Sequence, residues 1–284
     1  MNLSSSWKGF YSNCDNECYN LTNTHKGGFF SCTFSALNSI VQAYNYCKIL
    51  PRNINLDACL SMSCDSSENL YDAFFRINDA ININSCLGAF SDPNKNMYKI
   101  PIIFASRPFR EQNYNAISPL WNKYFNLNEE MQSLCDQLIN KYNINSNETL
   151  GVYYRGSDKI KEEQLPTYQE YINKVKETLA KGSFKRVVIQ TDEEKFKDLF
   201  LSSIENSFYF SELLFSQTGD GVHRELRKLG KNQTSNSKYM LATVYIFSQL
   251  HSLVLNTSHV SYAMCLYRNG VKNVLQYRRG AWIS

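Results

Sequence analysis

The stretch GVYYRGSDK (151–159) runs apolar and aromatic residues straight into an arginine, a glycine and a charged pair. Such a run reads as a buried strand whose end carries a fixed cation, Arg155. Its guanidinium presents a planar fork of N–H donors that matches the oxygens of a phosphate. Two further segments are built alike. Asp192 and Glu193 follow RVVIQT (186–191), and Thr257, Ser258 and Ser261, with Tyr262 beside them, follow SLVLN (252–256) at the start of a helical run. A carboxylate at Asp192 accepts ribose or sugar hydroxyls or holds a neighbouring loop, and the hydroxyls and N–H groups of a helix start favour anions. Together they describe a pocket for a nucleotide diphosphate, with Lys159 and Arg224 as auxiliary cations. Each has a plainer role as well. Arg155 could pair with Asp158, and Asp192, Thr257 and Ser258 are good helix N-caps.

For the three segments to meet, each must end a strand of one sheet. The second half of the chain has the required alternation: strands at 150–155, 186–191, 207–212, 252–257 and 273–277, with helices at 167–181, 192–204, 237–249 and 258–270 between them. Alternation of this kind implies parallel β-α-β units, in which ligands bind beyond the carboxyl ends of the strands. The first half is less regular. GGFF (27–30) reads as a turn into a short strand or loop, 35–46 as a helix, the region near 49–56 and 98–104 as strands, 91–96 as a loop, and 119–142 as one long helix. The polar, turn-rich NINSNE (143–148) marks the division, giving domains 1–145 and 146–284.

Several functions lose support. There is no GxGxxG after a strand, no GxxxxGK[ST] and no Asp-x-Asp at a strand end, which argues against dehydrogenase, P-loop and metal-bridged chemistry. Nine cysteines lack CxxC spacing, and the four histidines are scattered at 25, 223, 251 and 259, so no metal site is expected and the thiols read as reduced and buried. A net charge of only +4 on 284 residues does not suit a nucleic-acid binder. No apolar run nears the roughly 18 residues of a membrane span, and the N-terminus lacks an apolar signal core. The expectation is a cytoplasmic protein without stable membrane insertion.

GVYYRGSDK resembles the H-x-R-R-x-D-K element of the fucosyltransferase-like GT-B superfamily, which includes α1,6- and nodulation fucosyltransferases and protein O-fucosyltransferases. TDEE (191–194) resembles that group's Thr-Asp-Asp turn. IFSQLHSLVLNTSHVS (246–261) is similar to its LSQADFLVCTFSS segment, and GGFFSCTFSALNSI (27–40) to the first strand-helix unit of related viral transferases. The resemblance spans about 150–265 and touches the first half only faintly. It implies an α/β fold of GT-B type, two Rossmann-like domains facing across a cleft, and an inverting glycosyl transfer that needs no metal or other cofactor. It implies Arg155 as the diphosphate-binding arginine, Asp158 and Lys159 as its partners, Glu163 as the base and Ser261 as a donor contact. The departures are Tyr153 for the group's histidine, Gly156 for its second arginine and Thr243 for the aspartate that reads guanine. Threonine reads a guanine edge poorly, which favours uracil. The whole chain, with its short first domain, resembles chlorovirus transferases that place xylose on the fucose of an N-glycan core. That implies UDP-xylose as donor, an oligosaccharide as acceptor and the host cytoplasm as location. A GDP-fucose-dependent fucosyltransferase and a glycan-binding module without activity are the rival readings.

Inverting transfer needs a base at the acceptor hydroxyl. The run Glu68–Phe75 sets Asp72 among Tyr71, Phe74 and Phe75, whose rings could stack on sugar faces, and Asp72 is preferred to Glu163 on that ground. Glu163 lies in the charged run KIKEEQ, which suits a solvated surface. His223 and Arg224 are outside candidates for base and phosphate contact.

Overall fold

The computed structural model describes residues 10–15, 18–23, 27–47, 50–60, 64, 70–83, 108–216, 222–228 and 233–284. The chain divides into two compact units, Met1–Phe104 with Gln112–Gln132, and Ala105–Glu111 with Ser133–Ser284. The division thus falls inside a helix rather than in the polar stretch 143–148.

In the first unit, β1 (Phe10–Asp15) and β2 (Cys18–Asn23) form an antiparallel pair, and β3 (Asn53–Asn55) runs parallel to β2. Helix α1 (Phe29–Cys47) buries Phe30, Phe34, Leu37, Ile40 and Val41. It begins at Phe29, so GGFF is a helix entry and not a strand. Phe29 is drawn in by edge-to-face packing on Phe30 and Phe74. A short α2 (Asp57–Leu60) precedes β4 (Phe75–Arg76). The pattern over 119–142 resolves into two helices, α3 (Tyr114–Tyr124) and α4 (Glu129–Tyr142). Between them β5 (Asn126–Leu127) pairs with β4, and Asn128 Oδ1 accepts from Met131 N at 2.8 Å to start the second helix. Trp121 and Tyr124 before the break and Met131 and Leu138 after it are buried, so the apolar spacing serves a core on both sides.

The second unit is built on a six-stranded sheet in the order β11-β10-β9-β6-β7-β8. Strands β6 (Thr149–Tyr154), β7 (Arg186–Thr191), β8 (Ser207–Phe208), β9 (Ser252–Asn256) and β10 (Val274–Arg278) are parallel. An edge strand that the sequence reading missed, β11 (Ala281–Ile283), turns back antiparallel on β10. Segment 207–212 contributes only two residues to the sheet. Strand β6 is central and buried throughout, as expected of a parallel strand covered on both faces. On one face Leu150, Val152 and Tyr154 pack with Tyr171, Ile172 and Val175 of α5 (Tyr168–Lys181) and with Phe196 and Phe200 of α6 (Glu194–Ser203). Thr167 caps α5 by accepting from Glu170 N at 3.1 Å. On the other face Gly151 lets Phe247 of α8 (Gln233–Gln249) sit close, since a Cβ there would lie 3.3 Å from its ring and 2.6 Å from Leu253. Helices α7 (Val222–Lys228) and α9 (His259–Tyr267) complete the unit.

Strand 98–104 and loop 91–96 of the sequence reading lie outside the described residues. Cys64, Cys135 and Cys265 are buried free thiols, whereas Cys32 is disulfide-bonded, against the expectation of reduced thiols throughout. No helix among the described residues is long and apolar enough to cross a membrane.

Candidate functional site

The site is assembled where β6, β7 and β9 end. Arg155 leaves β6 tied to β9 by a reciprocal pair: its N–H donates to Asn256 Oδ1 at 2.8 Å, and Asn256 Nδ2 donates to its carbonyl at 2.8 Å. Asn256 was missed in the sequence. Its signal was a buried amide at the last position of an apolar strand. The Arg155 guanidinium then bonds Asp192, the Ser157 hydroxyl at 3.0 Å and Asp158 at 2.5 Å. The Asp192 side chain is only 7% exposed. A carboxylate so far from water demands compensation, and it receives it from Arg155, from the Ser157 hydroxyl and from the Gly156 N–H at 2.7 Å.

The next residue repeats the arrangement. Ser157 N donates to Glu193 Oε1 at 2.9 Å, while Tyr168 OH donates to Glu193 Oε2 at 2.9 Å. Two consecutive backbone donors thus meet two consecutive carboxylates, and the loop holding Arg155 is stitched to the end of β7. The stitching explains Gly156. A Cβ at that position would lie 2.1 Å from Glu193 Oε2, so no side chain fits there, least of all a second arginine. The carboxylate cannot yield without breaking its bonds to Ser157 and Tyr168. Gly156→Ala is therefore expected to destabilise the protein by about 1–3 kcal/mol, the usual range for overpacking. Denaturant unfolding checks this, and a midpoint equal to wild type would contradict the steric account.

Beside this loop lies a pocket of about 770 Å³. Tyr154, Tyr168, Leu165, Pro166 and the exposed Ile160 give it apolar walls, and Glu162, Glu163 and Glu193 give it carboxylates. Burial is the largest influence on Glu163 and raises its pKa above the ordinary carboxylate value. Lys159, Arg278 and Arg279 oppose the rise and Glu162 adds to it. Sequence reasoning set Glu163 on a solvated surface. The structure half-buries it in the pocket beside Ser157. Lys159 is mostly buried and pairs with Glu162 at 2.6 Å.

The remaining expected donor residues have their side chains engaged inside the fold. Thr257 Oγ1 donates to the Tyr277 carbonyl at 3.0 Å and accepts from Gln276 Nε2 at 2.9 Å. Ser258 caps α9 by accepting from Ser261 N at 3.1 Å, and Ser261 Oγ donates to the Asn256 carbonyl at 2.7 Å. Tyr262 is 1% exposed, its ring edge-on to Phe109 at 4.7 Å. Thr243, buried on α8, donates to the Tyr239 carbonyl at 2.8 Å. For Thr243, Thr257 or Ser261 to donate to a phosphate, the bond each hydroxyl now donates would have to open. Arg224 lies on α7, and its side chain is outside the described residues.

In the first unit, Tyr71 and Asp72 line a separate pocket of about 580 Å³. Tyr71 is buried and its hydroxyl donates to the Tyr124 carbonyl, and burial pushes its pKa well up. Phe74 and Phe75 do not offer sugar-stacking faces. Both are buried in a ring cluster with Phe29, and Phe75 also packs on Tyr71 and Phe125. The signal that misled was aromatic content beside a carboxylate, which a core explains equally well. Among the described residues no group of three or more His, Cys, Asp or Glu side chains could hold a metal ion.

No protein-family model matches the chain, and no curated protein sequence does. Solved structures do. The crystal structure of the NodZ α1,6-fucosyltransferase soaked with GDP-fucose matches with a TM-score of 0.55 over 92% of this chain and 97% of that one, at 14% identity. The same enzyme co-crystallised with GDP gives 0.52, and the selenomethionine fucosyltransferase NodZ from Bradyrhizobium gives 0.53, each covering 92% and 96% at 14% identity. The fold is the mixed α/β fold of GT-B fucosyltransferases.

Proposed function

We propose that the chain is a glycosyltransferase that moves a sugar from a nucleotide diphosphate to a glycan, with Arg155 meeting the departing diphosphate. The observation that carries this is the Arg155 guanidinium, fixed at the carboxyl end of the central strand of a parallel sheet, where such sheets bind ligands. The likeness in fold to a fucosyltransferase soaked with GDP-fucose supports it.

The chemistry follows from charge. In an inverting transfer the acceptor oxygen attacks the donor's anomeric carbon and gives up its proton to a base. The bond from that carbon to the β-phosphate oxygen breaks, and the diphosphate leaves with the electron pair. Arg155 is placed to take that charge. Two carboxylates hold its fork now, and Asp158 is the one a phosphate displaces, because its side chain is 27% exposed against 7% for Asp192. Asp192 stays and keeps the guanidinium aimed. Glu163 is the base in this reading. Its raised pKa suits a group that must receive a proton, and it shares a pocket with Ser157, the neighbour of Arg155 in the loop. In this reading a guanidinium replaces a metal ion, so EDTA leaves turnover unchanged. Loss of activity on chelation, restored by a divalent ion, would put a metal in the reaction.

The finer reading is transfer of xylose from UDP-xylose to the fucose of an N-glycan core. Threonine at position 243, where the resembling family reads guanine with a carboxylate, supports uracil. The second reading is a GDP-fucose-dependent fucosyltransferase, favoured by the nucleotide in the structural neighbours. Thermal shift separates them. A ligand that binds only the folded chain stabilises it by about 2.7 kcal/mol at a hundredfold excess over Kd. UDP is expected to raise Tm and GDP to leave it unmoved. A shift with GDP alone would replace the first reading by the second.

A further inference from the structure

The pocket of the first unit has a chemistry that the transfer reaction does not use. The register pairs Asn20 with Asn53, Leu21 with Ile54 and Thr22 with Asn55 across β2 and β3. Side chains alternate along a strand, so Leu21 and Ile54 share one face and enter the core, at 1% and 5% exposed. Asn20, Thr22, Asn53 and Asn55 share the other face, and all four line the pocket. This polar row is already organised. Asn53 Nδ2 donates to Asn20 Oδ1 at 2.8 Å, which leaves the Asn20 amide hydrogens and the Asn53 carbonyl oxygen for a ligand. Asn55 Nδ2 donates to Asp57 Oδ2 at 3.1 Å, and Asp57 Oδ1 accepts from Leu70 N at 2.7 Å, so the same chain of bonds fixes the turn that carries Asp72. A row of carboxamides offers adjacent donors and acceptors, which is what neighbouring sugar hydroxyls require.

Two arginines border that row. Arg52 is exposed and has no ion-pair partner among the described residues. Arg76 pairs with Glu129 at 3.4 Å, with side chains 55% and 91% exposed, a contact too solvated to hold it from a better partner. One carboxylate, Asp72, lines the pocket against these two cations. Glu129 already answers Arg76, so the guanidinium without an ion-pair partner among the described residues is that of Arg52, and a carboxylate, sulfate or phosphate matches its fork.

We infer that the β2–β3 face, with Arg52 and Arg76, binds a saccharide carrying an anionic group. The carboxamides bond its hydroxyls and the guanidiniums bond its acid. The site goes beyond the transfer reading and is tested without any donor. Calorimetric titration of the full chain uses lactose 3′-sulfate, a disaccharide ending in a uronic acid, plain lactose and inorganic sulfate. At least one acidic disaccharide is expected to bind about tenfold more tightly than lactose or bare sulfate, the gain of one charge-assisted hydrogen bond. The two acidic arms show whether sulfate or carboxylate is preferred. Arg52→Ala is expected to abolish that preference and Asn53→Ala to weaken the acidic and the plain sugar alike; both positions are exposed, and both variants are expected to leave nucleotide binding unchanged. Equal affinity for lactose and the acidic sugars, binding of sulfate alone, or variants that bind like wild type would each overturn the inference. If the acidic sugar binds while no nucleotide sugar is turned over, the site stands and the transfer reading falls.

Discussion

Arg155→Ala is expected to lower turnover somewhat more than a hundredfold, about 3 kcal/mol of barrier, the effect of removing one group that meets developing charge. The geometry makes the substitution informative only with a stability measurement beside it. Removing the guanidinium strips Asp192, whose side chain is 7% exposed, of its charge partner, and breaking a buried pair by deleting one member is destabilising. The Gly156 N–H and the Ser157 hydroxyl still reach Asp192, so the chain is expected to fold at reduced stability. Arg155→Lys separates the two roles. A lysine keeps the charge but cannot bridge Asp192 and a phosphate through a planar fork. It is expected to recover most of the stability and little of the turnover. A lysine variant with wild-type turnover would reduce Arg155 to a structural cation.

The second large effect is at Glu163. Glu163→Gln is expected to cut turnover by about a hundred- to ten-thousandfold, the contribution of a positioned general base. The pH dependence gives an independent signature. Burial raises the Glu163 pKa above 4.5, and the base works only when ionised. Wild-type activity should therefore fall on the acid side along a limb lying above pH 4.5, and the glutamine variant should lose that limb. Stability runs the other way. A carboxyl whose folded pKa is raised favours the folded state below its unfolded pKa, and that contribution is lost as pH rises through the folded value. At neutral pH the glutamine variant should be no less stable than wild type, so low activity cannot be assigned to unfolding. Asp72→Asn is the matching control. A large loss there with Glu163→Gln near normal would move the base to the first unit.

The sequence made the second unit legible because its strands are buried on both faces. Apolar runs such as LGVYY and RVVIQT stand out, and polar residues that interrupt them mark the strand ends. Arg155, Asp192 and Glu193 were found that way, and the structure brings all three together. The partnership itself was hidden, because the Arg155–Asp192 ion pair spans 37 positions and the bonds that stitch the loop, 36 positions apart, come from backbone N–H groups that no side-chain pattern reveals. Gly156 looked like a lost arginine until the Glu193 carboxylate was seen to occupy the space. Thr257, Ser258 and Ser261 were chosen for hydroxyls at a helix start, and that chemistry serves α9 and β10 as readily as a ligand. In the first unit, ring-rich segments were ambiguous. Phe74 and Phe75 looked available to sugars because composition does not tell a buried ring from a stacking platform. The polar face of β2 and β3 escaped notice for the opposite reason: only three residues of each strand pair with one another, too few to show a period.

The most direct test of the account is a transfer assay read by mass spectrometry, with the full chain, UDP-xylose or GDP-fucose, and a fucosylated N-glycan core as acceptor. The account predicts a glycan heavier by one sugar residue, free nucleoside diphosphate in equal amount, and neither product with Arg155→Ala on the same timescale. Intact donor and acceptor with every nucleotide sugar offered, from a chain that still binds the glycan, would contradict it and leave a glycan-binding module in its place.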